Sequence, residues 1–103
     1  MSDVKVSRTV VVVNSQGIHA RPADLIVRLA QQFQSKIEFV KDSQRVEGKS
    51  ILELLTLAAM HGEQLVIEAQ GSDAQTAVDA LAELIAGGFA ENEPTNDDQT
   101  NSG

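Results

Sequence analysis

The residue types most capable of chemistry lie in a short stretch near the start of the chain, residues 17–23, with the sequence GIHARPA. Pro22 has no N–H group to lose, so it is typical of the first turn of a helix. His19 therefore precedes several unpaired N–H groups and the positive end of a helix dipole, which attract anions such as phosphate. Because an imidazole nitrogen can itself be phosphorylated, His19 with Arg21 close by indicates a phosphohistidine site.

Two other polar residues have simpler explanations. Ser50 and Glu53 fit the S-x-x-E pattern of a capping box, in which the hydroxyl accepts a first-turn N–H and the glutamate reaches back. His61, at the expected end of the same helix, suits the helix dipole and is assigned no chemistry. The chain has no cysteine, and no cluster of metal or cofactor ligands stands out, so we expect no cofactor and no metal.

The elements that must position these residues follow from the hydrophobic periods of the chain. Strands are predicted over residues 8–13, 36–40, 44–47 and 65–69, and helices over 20–33, 50–60 and from 74 to a stop at 87–88. The unbroken valine run at 10–13 predicts a central strand. The resulting βαββαβα order favours an α+β open-faced sandwich, a four-stranded and mostly antiparallel sheet with three helices on one face.

An acidic tail ends the chain. The 103 residues are enough for one domain, which we expect over residues 1–89, followed by a tail over 90–103. Four of the seven net negative charges belong to this tail, and residues 91–103 contain no aliphatic or aromatic side chain. Such a segment cannot bury enough surface to offset the entropy of ordering, so the tail is predicted to be disordered.

Composition narrows the partners and the location. With 15 Asp and Glu against 8 Lys and Arg, the chain is acidic, which argues against a nucleic-acid partner. No apolar run approaches the roughly 20 residues of a membrane helix, so membrane insertion is not expected. The lack of cysteine makes a cytoplasmic location the simplest interpretation.

The GIHARPA stretch, together with the segment from Lys49 to Ile51, resembles HPr, the histidine-containing phosphocarrier of the bacterial sugar phosphotransferase system. The likeness runs over about residues 6–89 and includes the turn at 71–74. It implies that His19 accepts phosphate from enzyme I and passes it to a IIA protein. It also implies that Arg21 pairs with the phosphate, Pro22 orients the N–H groups, and Gly17 allows a tight turn. Such a protein is a phosphocarrier and not an enzyme.

The same resemblance implies regulation and docking. Ser50 corresponds to the position that HPr kinase/phosphorylase modifies in many bacteria. The second helix is expected to turn its core-facing arc, which includes Ala58, inward and to expose Leu52. We therefore expect a monomer that docks transient partners with acidic surfaces. The expected docking residues are Leu52, Leu25, Arg28 and Lys49.

Three features depart from the family pattern, namely Asp24, Ala58 and the acidic tail, which extends past the usual end and is expected to screen the basic rim. Asp24 lies close to the phosphate site and is expected to repel phosphate slightly. Ala58 stands where many members have glycine, which predicts a stiffer second helix.

Two alternatives for the function stay open. One alternative is a regulatory or nitrogen-branch HPr that signals instead of importing sugar. The other is a ferredoxin-like binding module in which the motif is a coincidence.

Overall fold

The computed structural model describes residues 4–90, and its elements follow the predicted βαββαβα order. The strands are β1 (Lys5–Val11), β2 (Lys36–Lys41), β3 (Gln44–Glu47) and β4 (Gln64–Gln70). The helices are α1 (Ala20–Ala30), α2 (Ile51–Thr56) and α3 (Ala74–Ala86), followed by a short 3-10 turn over Gly88–Ala90. The strands form one antiparallel sheet in the order β1-β4-β2-β3. The predicted open-faced sandwich is therefore confirmed.

The core lies between one face of the sheet and the helices. Alternate strand residues point inward, as the two-residue period of a strand requires. Phe39 of β2 lies opposite Val46 of β3 and Ile67 of β4, and all three are buried. The core side of α3 is rich in alanine, so this helix can lie close to the sheet. The buried helix residues are Pro22, Ala23, Ile26, Val27 and Ala30 of α1, Leu54 of α2, and Ala74, Ala77, Val78, Leu81, Ala82 and Ile85 of α3.

The first strand is at the edge of the sheet, and the prediction of a central strand is wrong. Within residues 4–90, β1 pairs only with β4. Val10 and Val12 are buried, whereas Val11 and Val13 are exposed. Valine favours extended backbone whichever way its side chain points, so the run identified a strand correctly but not its position.

The second helix ends at Thr56, earlier than the predicted end at residue 60. The Thr56 hydroxyl donates to the Glu53 carbonyl oxygen at 2.6 Å. Ala58 then has a left-handed backbone conformation, with φ +50°, from which a right-handed helix cannot continue. Its side chain is exposed, so the predictions that Ala58 faces the core and stiffens the helix are both wrong. His61 lies in the turn beyond the helix and not at its end.

The first helix also ends early, at Ala30 instead of residue 33, and the chain after it is attached to the start of α3. The Asp73 carboxylate accepts hydrogen bonds from the N–H groups of Gln34 (2.8 Å) and Ser35 (3.0 Å) and from the Ser35 hydroxyl. The Ser35 hydroxyl and the Gln34 N–H hold the pKa of the Asp73 carboxyl below its ordinary value of 3.8. Asp73 thus joins the α1–β2 connection to α3.

Candidate functional site

The loop that precedes α1, residues 14–19, rests against the chain that follows α2; we call it the His19 loop. Gly17 has φ +70°, and a Cβ at this position would lie 2.4 Å from the Ala59 carbonyl oxygen. The Ile18 N–H donates to that same oxygen at 2.8 Å. The buried Asn14 side chain donates from Nδ2 to the Gly17 carbonyl oxygen. The positive φ of residue 17 and the lack of space for a Cβ beside Ala59 therefore both require glycine at this position.

His19 is the N-cap residue of α1, at the helix start that Pro22 predicts. Its backbone is extended (φ −92°, ψ −164°), and its side chain makes no capping hydrogen bond. The Ala23 N–H donates to the His19 carbonyl oxygen at 3.0 Å, and Pro22 has no N–H. The helix itself leaves the N–H groups of Ala20 and Arg21 unused. With the helix dipole, these donors can stabilise a phosphoryl group carried by the imidazole.

The two arginines of α1 occupy different environments. Arg21 is exposed in the first turn, two residues after His19. Arg28 lies in the last turn and donates from Nε to the Asp24 carboxylate at 2.8 Å. At the rise of an α-helix, Arg28 is about 13 Å along the axis from His19, so the structure does not bring it into this site. The ion pair also compensates the charge of Asp24, which weakens the expected repulsion of phosphate.

Ser50 is the N-cap residue of α2, as predicted. Its hydroxyl accepts the Glu53 N–H at 3.2 Å. The Glu53 carboxylate reaches back to the Glu47 N–H at 2.8 Å, and not to the Ser50 N–H as a full capping box requires. The His19 loop contacts the chain beyond the other end of α2, through Ala59. The hydrogen bonds of Ser50 therefore lie at the start of α2, whereas the bond from Ile18 of the His19 loop lies beyond its end.

Exposed apolar side chains mark the candidate docking surface. Leu52 is 77% exposed, as predicted, and Leu25 is partly buried against the core. Met60, which the sequence-based reasoning missed, is 53% exposed and lies beside the backbone of Gly17. It was missed because the predicted helix extended through it. A large apolar residue two positions before Gly62 is the signal that could have identified an exposed turn.

Lys49, the remaining predicted docking residue, has a structural contact. Its Nζ donates to the Phe33 carbonyl oxygen at 2.9 Å, in a partly buried position. This bond ties the chain just before α2 to the chain just after α1. Part of the hydrogen-bonding capacity of Lys49 is therefore used within the molecule, while Arg21 stays exposed at the start of α1.

A shallow polar depression of about 300 Å³ lies on the open face of the sheet and does not include His19. Its charges pair with one another, because Arg45 donates to Glu38 at 2.9 Å and to Glu68, while Lys5 and Lys36 lie near these carboxylates. Within residues 4–90, no group of three or more His, Cys, Asp or Glu side chains could hold a metal ion. In the same range, no helix is long and apolar enough to cross a membrane.

Known proteins resemble this chain over most of its length. The family model described as "PTS HPr component phosphorylation site" matches residues 6–87. A phosphocarrier protein HPr of Treponema pallidum is 43% identical over 86 residues, which cover 84% of this chain and 98% of that protein. A multiphosphoryl transfer protein of Vibrio cholerae is 38% identical over 81 residues, covering 76% of this chain and 20% of that protein.

A solved structure agrees with these sequence matches. The crystal structure of HPr-C-His from Thermoanaerobacter tengcongensis has a TM-score of 0.81 and 37% sequence identity, and covers 84% of this chain and 98% of that chain. Similarity in both sequence and fold over this range rules out a coincidental motif on an unrelated module. The chain belongs to the HPr family, the phosphocarriers of the phosphotransferase system.

Proposed function

We propose that His19 is the residue that carries the phosphoryl group. A neutral imidazole nitrogen of His19 attacks the phosphorus of a phosphohistidine on enzyme I, and the new N–P bond forms as the donor's N–P bond breaks. The phosphoryl group then leaves His19 by the same kind of exchange, to a nucleophile of a IIA protein. The observation that carries this proposal is the position of His19 as an extended N-cap whose side chain does not cap the helix.

Three neighbouring residues support the transfer in this proposal. Arg21 pairs with the phosphoryl oxygens through charge-assisted hydrogen bonds, because its guanidinium is exposed in the same helical turn. Pro22 holds the backbone of that turn with its fixed φ. Gly17 allows the loop to lie close to Ala59. The phosphocarrier is then a substrate of its partners, which supply the catalysis.

Phosphate incorporation tests the role of His19. The chain is incubated with enzyme I and labelled phosphoenolpyruvate, and acid-labile phosphate is measured for wild type, His19→Ala and His61→Ala. His61 is the matched control, since it is the other histidine of the chain and lies exposed in a turn. We expect labelling of wild type and His61→Ala and none of His19→Ala. Equal labelling of His19→Ala would contradict the proposal.

The partners follow from the same role. Enzyme I and IIA proteins are proposed to dock on the exposed side chains Leu52 and Met60, with Arg21 at the rim. Similarity to a multiphosphoryl transfer protein supports a place in a chain of phosphoryl transfers. Weak, transient docking suits a carrier that must leave each partner quickly. A cytoplasmic monomer remains part of this proposal.

Regulation at Ser50 is a second, separable proposal. The Ser50 side chain is partly exposed at the start of α2, where N–H groups tolerate added negative charge. A phosphoryl group there would place a dianion two residues from Leu52. Its test is incubation with ATP and HPr kinase/phosphorylase, using Ser50→Asn, which keeps a capping oxygen but has no hydroxyl. We expect label on wild type only, and labelling of Ser50→Asn would contradict the assignment. If phosphorylation of Ser50 strongly changes phosphoryl transfer at His19, the result would favour the regulatory alternative over sugar transport.

A further inference from the structure

An ion pair holds the segment on which the His19 loop rests; we call this segment, residues 58–63, the backing segment. The Lys41 side chain, only 17% exposed, donates from Nζ to the Ala58 carbonyl oxygen at 3.1 Å and to the Glu63 carboxylate at 3.0 Å. The same carboxylate oxygen accepts the Met60 N–H at 2.7 Å. The Met60 N–H and then Lys41 lower the pKa of Glu63, so its carboxylate is ionised at neutral pH.

We call the Lys41–Glu63 ion pair, with its hydrogen bonds to Ala58 and Met60, the clamp. The backing segment contacts the His19 loop between these two bonded residues. Ala59, which lies between the residues bonded by Lys41 and Glu63, accepts the Ile18 N–H at 2.8 Å. The backbone of Ala58 is left-handed at φ +50°, a conformation that is unfavourable for any residue with a Cβ. The segment therefore does not keep this shape through its own backbone preference, and the hydrogen bond from Lys41 restrains it.

We propose that Lys41 and Glu63 are positioning residues for phosphoryl transfer at His19. They hold the Ala59 carbonyl oxygen in the place where it binds Ile18, and Ile18 is joined directly to the histidine. Neither side chain needs to touch the reacting atoms. This inference rests on the phosphorylation of His19 proposed above. Small misplacements of a reacting group are costly to transfer rates, so loss of the clamp is expected to slow transfer about tenfold.

The experiment compares single-turnover transfer from saturating phosphorylated enzyme I to wild type, Lys41→Met, Lys41→Arg and Glu63→Gln. Lys41→Met removes both hydrogen bonds, whereas Lys41→Arg keeps a cation that can donate to both oxygens. Glu63→Gln keeps an oxygen for the Met60 N–H but removes the charge that pairs with Lys41. We expect a loss of about tenfold in Lys41→Met, about threefold in Glu63→Gln, and near wild-type transfer in Lys41→Arg. Hydrogen exchange of the Ile18 amide should accelerate most in Lys41→Met, less in Glu63→Gln and least in Lys41→Arg.

Arg8→Met is the matched control, because Arg8 and Asp79 form another ion pair between a strand and a helix, at 3.2 Å, and neither residue belongs to the backing segment. It should leave both transfer and Ile18 exchange unchanged. Wild-type transfer and exchange in Lys41→Met, or an equal loss in Arg8→Met, would overturn the positioning role. If Lys41→Met does not fold, Glu63→Gln and Lys41→Arg decide the question. If wild type gains no phosphate, the proposed function fails, and Ile18 exchange alone still tests the clamp.

Discussion

Individual residues of the His19 loop act through their backbones as much as through their side chains. Gly17 leaves space for the Ala59 carbonyl oxygen, and Ile18 donates its N–H to that oxygen. His19 ends the loop as the N-cap residue of α1, with an extended backbone and no capping hydrogen bond from its side chain. These backbone contacts fix the position of His19, whose imidazole we propose to carry the phosphoryl group.

At this scale, Arg21 is expected to affect the transfer rate without affecting the fold. A hydrogen bond to a charged group is worth about 1.5–3 kcal/mol, so Arg21→Ala should lower the rate at least about tenfold. Stopped-flow transfer from phosphorylated enzyme I measures the rate, and thermal melting measures the fold. Arg8→Ala is the control, since Arg8 lies on β1 and pairs with Asp79 of α3 instead of with a residue of α1. An unchanged rate in Arg21→Ala would remove this residue from the site.

Ala58 is a second single-residue case, and its substitution should stabilise the protein. The residue has φ +50° and an exposed side chain, so glycine fits the backbone without losing buried contacts. We expect Ala58→Gly to raise the free energy of unfolding by about 0.5–1 kcal/mol, measured by urea denaturation. In Ala80→Gly, inside α3, the same change should lower it by about 1 kcal/mol. A lower stability of Ala58→Gly would show that the left-handed conformation is not strained.

At the scale of elements, the helices and strands that could be predicted best are those whose bounds depend on the local sequence pattern. α3 has a long amphipathic period and ends before the glycine pair at 87–88, so its bounds agree with the prediction. The end of α2 was missed because Ala58 carries no turn signal of its own. Tertiary contacts impose the turn there, namely the bonds from Lys41 to the Ala58 carbonyl oxygen and from Ile18 to the Ala59 carbonyl oxygen.

The candidate site, too, could be predicted only where its residues are contiguous in the sequence. The position of His19 at a helix start could be predicted, since residues 17–23 are contiguous and Pro22 is a local signal. Lys41 and Glu63 could not, because only the folded sheet brings their side chains to the backing segment. The edge position of β1 was missed for a related reason, since strand order depends on long-range pairing.

The contact between α3 and the α1–β2 connection should depend on pH through Asp73. Its pKa is depressed in the folded protein by the Ser35 hydroxyl and the Gln34 N–H. The carboxylate therefore stabilises the fold above its unfolded pKa, and this contribution disappears as the pH falls through the folded pKa. We expect Asp73→Asn to be less stable than wild type at pH 7, with a difference that narrows below about pH 4. Urea denaturation at both pH values checks this, and a constant difference would contradict it.

At the scale of the whole molecule, α3 runs alongside β1 and ends on the His19 side of the sheet. The Gly71 N–H donates to the Val4 carbonyl oxygen at 2.9 Å, so the start of α3 lies near the start of β1. Farther along, Arg8 of β1 meets Asp79 of α3. The two elements therefore run in the same direction, and α3 ends on the side where β1 leads into the His19 loop. The predicted disorder of the acidic tail lies outside the described residues.

Removal of this tail should accelerate docking with acidic partners. A chain that stops at Ala90 loses four carboxylates, so its net charge changes from −7 to −3. We expect transfer from phosphorylated enzyme I to become about two- to threefold faster at low ionic strength, and the gain to vanish in high salt. Stopped-flow transfer at several salt concentrations measures this. Slower transfer by the shortened chain would indicate that the tail assists docking.

The hydrogen bond between Ile18 and Ala59 also has a consequence for the order of events during synthesis. A nascent chain that has emerged from the ribosome only as far as Ser50 already contains every residue of the GIHARPA stretch. It still lacks the carbonyl oxygen that anchors this stretch, and the strand β4 that pairs with β1. We therefore expect enzyme I to discriminate against incomplete chains, so that phosphate enters the carrier only after translation has passed the backing segment and β4.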